Sequence, residues 1–283
     1  MAKGGIAPKK SLGQNFLIDK NVARKIVESL DLRPGDCALE IGPGTGALTE
    51  TLLEMDVRLA AVEIDERAVR ELKKKFKGIP GEKFLLVHDD FLRTDLREIA
   101  RRLGAQGRMK AVGNIPYYIS SQIIFKMFDS LDVFESFVIM IQREVARRLV
   151  AGHGGKDYGI LSIAAKLAAE SRILFDVPPS CFFPPPEVTS SVVKLDFKPE
   201  AYPERDRIMD FVRAAFSTRR KMLSNSLKSY FNLQAIPREK IVNFANSEEG
   251  KILSKRAEQL SLGDFIAFYN TVKELKEKDA RKE

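Results

Sequence analysis

From Cys37 onward, short apolar runs alternate with amphipathic stretches at a steady rhythm. Cys37–Ile41 leads into 47–54, 59–63 into 66–76, 84–87 into 96–103, 109–112 into 120–128, and 137–141 into 143–151. Continuous apolar runs of four or five residues followed by segments with helical spacing predict buried parallel strands, each linked to the next by a helix. Two further strand-like runs, 172–177 and 191–197, flank Pro184-Pro185-Pro186 with no helical pattern between them, so an antiparallel pair at the sheet edge is expected.

The alternation predicts a doubly wound α/β sheet in a domain over residues 1–200. Residues 199–203 read as a linker. Beyond it strand signals stop, and helices are expected at 206–216, 219–231, 238–245, 252–257 and 262–276, giving a small all-α domain over 201–283.

Composition narrows the function classes. At 283 residues with 44% hydrophobic content, the chain can build a core without covalent staples. No apolar run reaches the ~18 residues needed to span a bilayer, and the N-terminal residues lack the apolar stretch of a signal peptide, so a cytoplasmic location is expected, with no membrane partner. Two cysteines, Cys37 and Cys181, and two histidines, His88 and His153, show no metal-ligand spacing, so no metal is expected. The formal charge is +8, and residues 201–283 hold 17 Lys and Arg against 12 Asp and Glu. Such an excess attracts a polyanion such as a nucleic acid backbone.

Candidate chemistry clusters where strands end. Asn114-Ile115-Pro116-Tyr117 follows the 109–112 run. The Asn114 side-chain oxygen and the Ile115 carbonyl can both accept hydrogen bonds from an exocyclic amine, Pro116 stiffens the backbone between them, and Tyr117 offers a flat face to a flipped-out base. Upstream, Gly42-Pro43-Gly44-Thr45-Gly46 sits where the first strand turns into a helix, the place where a nucleotide-like ligand approaches the backbone. Glu63 ends the second strand and is placed to bind both hydroxyls of a ribose, and Asp90 ends the third, able to accept from an adenine amine. The glycine spacing also fits the dinucleotide pattern, so an NAD enzyme stays open on this ground alone.

Phe182 and Phe183 precede the proline-stiffened loop; one is expected in the core and the other over a base opposite Tyr117. Arg219-Arg220-Lys221, on an expected helix start, suit an RNA backbone or a solvated face. Lys9 and Lys10 belong to a polar arm that reads either as disordered or as a lid.

Together, residues 10–17, 40–49, 62–65, 114–117, 182–190 and 216–223 resemble the KsgA-type small-subunit rRNA adenine dimethyltransferases, in that family's order. The resemblance implies a Rossmann-like methyltransferase domain with an N-terminal arm over 1–200 and a helical RNA-binding domain over 201–283. It implies S-adenosylmethionine as methyl donor, S-adenosylhomocysteine as product and no metal. The implied substrate is a pair of adjacent adenosines near the 3′ end of small-subunit rRNA, each dimethylated on N6, late in assembly of the small ribosomal subunit. Carried over by position, the cofactor contacts are Asn15, Leu17, Gly42, Glu63, Asp90 and Asn114, with Gly44 in the glycine turn. The base-stacking positions are Tyr117 and Phe182. Independently of the resemblance, the basic runs make Lys9, Lys10, Arg219, Arg220 and Lys221 the expected RNA contacts. A monomer is the simplest expectation. Erythromycin-resistance-type enzymes acting on large-subunit rRNA share the fold and the N-x-P-[YF] logic, and a non-catalytic assembly or transcription factor on the same fold is a further alternative.

Overall fold

The apolar runs at the centre of the sheet become strands because their residues are buried on both faces, the condition under which continuous apolar sequence is favoured over alternation; the run at 84–88, on the sheet edge, is only partly buried. The computed structural model describes residues 6–9 and 12–277. In chain order the first elements are β1 (Phe16–Leu17), α1 (Lys20–Glu28), β2 (Cys37–Ile41), α2 (Ala47–Leu53), β3 (Arg58–Glu63), α3 (Glu66–Lys75), β4 (Phe84–His88), α4 (Leu96–Arg102), β5 (Met109–Asn114), α5 (Ser120–Phe128) and β6 (Phe134–Gln142). Then follow α6 (Arg143–Val150), α7 (Ile160–Ala168), β7 (Ala169–Val177), β8 (Phe182–Phe183) and β9 (Ser190–Phe197). Asp19, Asp65 and Asp95 start α1, α3 and α4 by accepting backbone N–H bonds that the first helical turn cannot satisfy internally.

Seven strands form one sheet in the order β4-β3-β2-β5-β6-β9-β7. Strands β4 to β6 are mutually parallel, and β9 joins antiparallel to both β6 and β7, as the sequence predicts for the edge. After β2 the chain adds β3 and β4 on one side, then crosses back to place β5 on the other. This reversal opens a crevice at the carboxyl ends of β2 and β5. A two-stranded antiparallel ribbon pairs β1 with β8, Phe16 against Phe183 and Leu17 against Phe182.

The chain divides into two compact units, residues 1–147 with 168–200 and residues 148–167 with 201–283. The first contains both sheets. The second consists of most of α7 with α8 (Arg205–Ala215), α9 (Leu223–Ser226), α10 (Lys228–Leu233), α11 (Arg238–Ala245) and α12 (Leu262–Glu277). Its core is aromatic: Phe211 meets Tyr230 and Phe268 edge-on, and Phe244 stacks on Phe268.

Three segments depart from the sequence expectation. Helix α7, for which no element is expected, is mostly apolar, with Ser162 and Lys166 as its polar positions. The expected helix over 219–231 is instead a turn followed by α9 and α10, and the expected helix at 252–257 is two short 3₁₀ turns, Glu249–Ser254 and Ala257–Gln259. An antiparallel bridge between Met222 and Arg256 holds both regions extended.

In the second unit Gly250 is pressed against the end of α11, where a Cβ would lie 1.8 Å from the Phe244 carbonyl oxygen. Gly250→Ala is expected to cost about 2 kcal/mol or more, while Gly152→Ala, with open space around it, should stay within about 0.5 kcal/mol. Chemical denaturation of the two variants beside the parent checks this.

Candidate active site

A cavity of about 280 Å³ lies at the carboxyl ends of the parallel strands. Its walls are the arm (Gly13, Asn15, Leu17), the turn after β2 (Gly42, Gly44), the end of β3 (Glu63), the turn after β4 (Asp89, Asp90) and the segment after β5 (Asn114 to Tyr117). Sequence-distant groups thus meet because parallel strands end at one edge of a sheet. Positive φ at Gly42, Gly44 and Gly46 lets the turn after β2 coil tightly before α2 begins. A Cβ on Gly44 would lie 3.0 Å from the Phe16 ring, so the arm packs directly on this turn.

The Glu63 carboxylate is buried and bonded at both oxygens: Gly44 N–H donates to Oε2 at 2.9 Å and Asp65 N–H to Oε1 at 2.8 Å. Burial pushes its pKa up, and the two backbone donors offset part of that shift. Beneath it, Glu40 is fully buried, accepts the Thr49 hydroxyl at 2.6 Å, and is raised to about 7, chiefly by desolvation. Asp65 behaves oppositely. The Arg67 guanidinium holds its carboxyl well below the usual range, and Gln14 Nε2 donates to it at 3.0 Å. Arg67 also donates to the Ala7 carbonyl at 3.0 Å, so Asp65 and Arg67 tether the arm at two points.

After β4, Asp89 Oδ1 accepts Asp90 N–H and Oδ2 accepts the Thr94 hydroxyl, so Asp89 closes the turn. Asp90 Oδ1 accepts Leu92 N–H at 2.9 Å, while Oδ2 has only Arg93 at 3.8 Å. Asp90 therefore keeps an oxygen for a ligand amine.

Asn114 Nδ2 donates to the Asn15 carbonyl at 3.0 Å. With its NH₂ engaged, the amide presents Oδ1 as a fixed acceptor, next in sequence to the Ile115 carbonyl. Pro116 leads into the 3₁₀ turn Tyr117–Ile119. The half-buried Tyr117 ring is held by a 2.8 Å bond between its hydroxyl and Ser190 on β9, and burial raises its pKa.

Of the residues expected from sequence, Asn15, Leu17, Gly42, Gly44, Glu63, Asp90 and Asn114 to Tyr117 line this cavity, and Phe182 and the expected RNA contacts do not. Phe182 is not among the cavity-lining residues; it is 3% exposed and packs in the core with Leu17 and Cys181, whereas Phe183 is 37% exposed. Pairing with β1 fixes which face of β8 turns inward, and the alternation of side chains sends the next residue outward. Arg219, exposed on a turn instead of a helix start, is committed within its own unit, pairing with Glu258 at 3.1 Å and donating to the Lys156 carbonyl. Arg220, Lys221 and Lys9 are exposed, and Lys10 lies outside the described residues. Sequence reasoning missed Gln14, Asp65 and Arg67 as arm tethers, and Ser190 as the anchor of Tyr117. Their partners lie more than 50 residues away, except for the Asp65–Arg67 pair itself.

An open, mainly parallel sheet of this strand order, with a glycine turn after β2 and acids after β3 and β4, defines a Rossmann-like methyltransferase fold. Among solved structures, a dimethyladenosine transferase from Plasmodium falciparum superposes with a TM-score of 0.75 at 27% identity, covering 91% of this chain and 98% of that one. The 23S rRNA methyltransferase ErmE, at 24% identity and a TM-score of 0.66 over 92% and 100% of the two chains, shares the fold. Among curated proteins, the ribosomal RNA small subunit methyltransferases A of Desulfitobacterium hafniense and Methylococcus capsulatus are each 41% identical, covering 95% and 92% of this chain and 94% and 95% of their own. Residues 6–261 match the family described as ribosomal RNA adenine dimethylase, and the chain belongs to it.

Membership of a methyltransferase family implies S-adenosylmethionine as the methyl donor. The cavity fits such a group: a Cβ on Gly42 would meet no atom within 4 Å, so the backbone there borders open space, and the acceptors suit a polar nucleoside.

The raised Glu40 pKa carries a pH signature. Its folded value near 7 exceeds the ordinary 4.5, so its contribution to stability is fully present below pH 4.5 and lost as pH rises through 7. Glu40→Gln should remove this loss, gaining about 3 kcal/mol relative to the parent above pH 7 and little at pH 4. Urea denaturation of both proteins across that range tests it.

Proposed function

We propose that this protein transfers methyl groups from S-adenosylmethionine to the N6 amines of two adjacent adenosines near the 3′ end of small-subunit rRNA. In this reading it acts as a monomer in the cytoplasm, on a partly assembled small subunit late in its assembly, without a metal. The observation that carries the chemistry is the Asn114–Asn15 hydrogen bond, which leaves Asn114 Oδ1 beside the Ile115 carbonyl as a pair of acceptors.

The bound donor supplies an electrophilic methyl on a sulfonium. The target nitrogen is a poor nucleophile because its lone pair is delocalised into the adenine ring. Hydrogen bonds from its NH₂ group to Asn114 Oδ1 and the Ile115 carbonyl favour a pyramidal nitrogen with its lone pair aimed outward. Catalysis is then positioning plus stabilisation of growing positive charge, and the proton leaves to solvent. Tyr117, immobilised through Ser190, stacks on the flipped base. Phe183, as the exposed member of its pair, takes the outer stacking role first assigned to Phe182. On the donor side, Glu63 holds the ribose, Asp90 the adenine amine, and Gly42, Gly44, Asn15 and Leu17 shape the cavity. Lys9, Arg220 and Lys221 contact the RNA backbone, with residues 201–283 carrying the denser charge excess, 17 Lys and Arg against 12 Asp and Glu.

Labelled methyl transfer to unmethylated small subunits, with large subunits as control and nuclease mapping of the product, tests the assignment. Dimethyladenosine at adjacent small-subunit positions is expected; label confined to large subunits would overturn the substrate. In the same assay Asn114→Ala should lower turnover by at least about 100-fold while rRNA binding is spared. Glu63→Ala should instead weaken S-adenosylmethionine about 10- to 100-fold by calorimetry.

A further inference from the structure

Helix α5 starts immediately after the Asn114–Ile119 segment and carries Lys126 on its second half. The ammonium of this side chain does not point to solvent. It donates to the Phe91 carbonyl at 2.7 Å and to the Thr94 carbonyl at 2.6 Å, and sits 5.2 Å from the centroid of the Phe91 ring. Both carbonyls belong to the turn whose Asp89, Asp90, Phe91 and Leu92 line the cavity. Phe91 and Thr94 are each 6% exposed, while Thr94 and Lys126 also border an open surface groove with Asp95 and Gln122. Within the turn Arg93 and Thr94 N–H both donate to the Asp90 carbonyl and Leu92 N–H to Asp90 Oδ1, while Asp89 N–H donates out to the Glu63 carbonyl at 3.1 Å. Lys126 thus ties this turn to the helix that follows the acceptor motif, beside the backbone bond from Asp89 to β3.

Burial lowers the Lys126 pKa, opposed by the carboxylates of Asp90, Asp89 and Asp95. The ammonium therefore sits in a partly dry site beside three negative charges, and its two carbonyl partners fix it more firmly than an exposed ion pair would.

We propose that Lys126 is a positioning residue that sets cofactor-base selectivity, by holding the 89–94 turn so that Asp90 Oδ2 meets the 6-amino group of the cofactor's adenine. This rests on the reading above that Asp90 faces that amine. Lys126 touches neither substrate nor donor; it acts through the turn. Losing it leaves two buried carbonyls without a donor, the turn shifts, and the distinction between a 6-amino and a 6-oxo purine weakens, while the acceptors at Asn114 and Ile115 stay in place.

The test is calorimetric titration of the full chain with S-adenosylhomocysteine and with S-inosylhomocysteine, for the parent, Lys126→Met and Lys126→Gln. The parent is expected to prefer the adenosyl compound at least tenfold. Lys126→Met should reduce that preference to about threefold or less, with methyl transfer at saturating donor within twofold of the parent. Lys126→Gln, which keeps a donor without the charge, should fall between. Equal binding of the two compounds by the parent overturns the role of Asp90, and this proposal with it. A strong preference in the parent that persists in a folded Lys126→Met overturns this proposal alone. Failure of both variants to fold would make the contact purely structural and overturn it as well.

Discussion

Strand β5 lies against β2 in a register that runs from Ala38 opposite Lys110 to Ile41 opposite Gly113, and the rest of the cavity depends on this pairing. It sets the glycine turn and Asn114 side by side at the edge of the sheet, one strand apart. The close approach is possible because residue 113 has no side chain. A Cβ there would lie 3.0 Å from the Ile41 carbonyl oxygen and 2.6 Å from the Ile115 side chain. Any larger residue must push either β2 or the Ile115 side chain, so the turn after β2 and the Asn114–Ile115 segment share one steric limit.

Charge at this edge is arranged against stability. Glu40 and Glu63 are both buried and both raised in pKa chiefly by desolvation, with Glu63 adding to the rise at Glu40, while the backbone N–H groups of Gly44 and Asp65 offset only part of the cost at Glu63. A fold optimised for stability alone would place apolar residues there. Perturbed acids gathered in a cleft are what ligand recognition requires, and the buried apolar strands of the sheet supply the surplus that tolerates them.

How much of this was legible in the sequence follows from the range of each interaction. The strand and helix alternation from β2 to β6 was readable because each element carries its own apolar pattern, and the glycine turn, Glu63, Asp90 and Asn114 were readable because they punctuate those patterns. Strands β1 and β8 were hidden because two residues have no pattern at all. Which of Phe182 and Phe183 turns inward depended on the pairing of those two short strands, and the commitment of Arg219 depended on Lys156 and Glu258, 63 and 39 residues away. Local chemistry was visible; chemistry fixed by distant partners was not.

The side-chain amide of Asn114 is oriented by a main-chain atom, the carbonyl of Asn15. A backbone oxygen is present whatever residue is encoded, so codon changes at position 15 leave the orienting group intact provided the arm keeps its path. The vulnerable inheritance lies instead in the arm's path, written at Gln14, Asp65 and Arg67, and drift in those three codons reaches the reacting atoms without altering any residue that touches them.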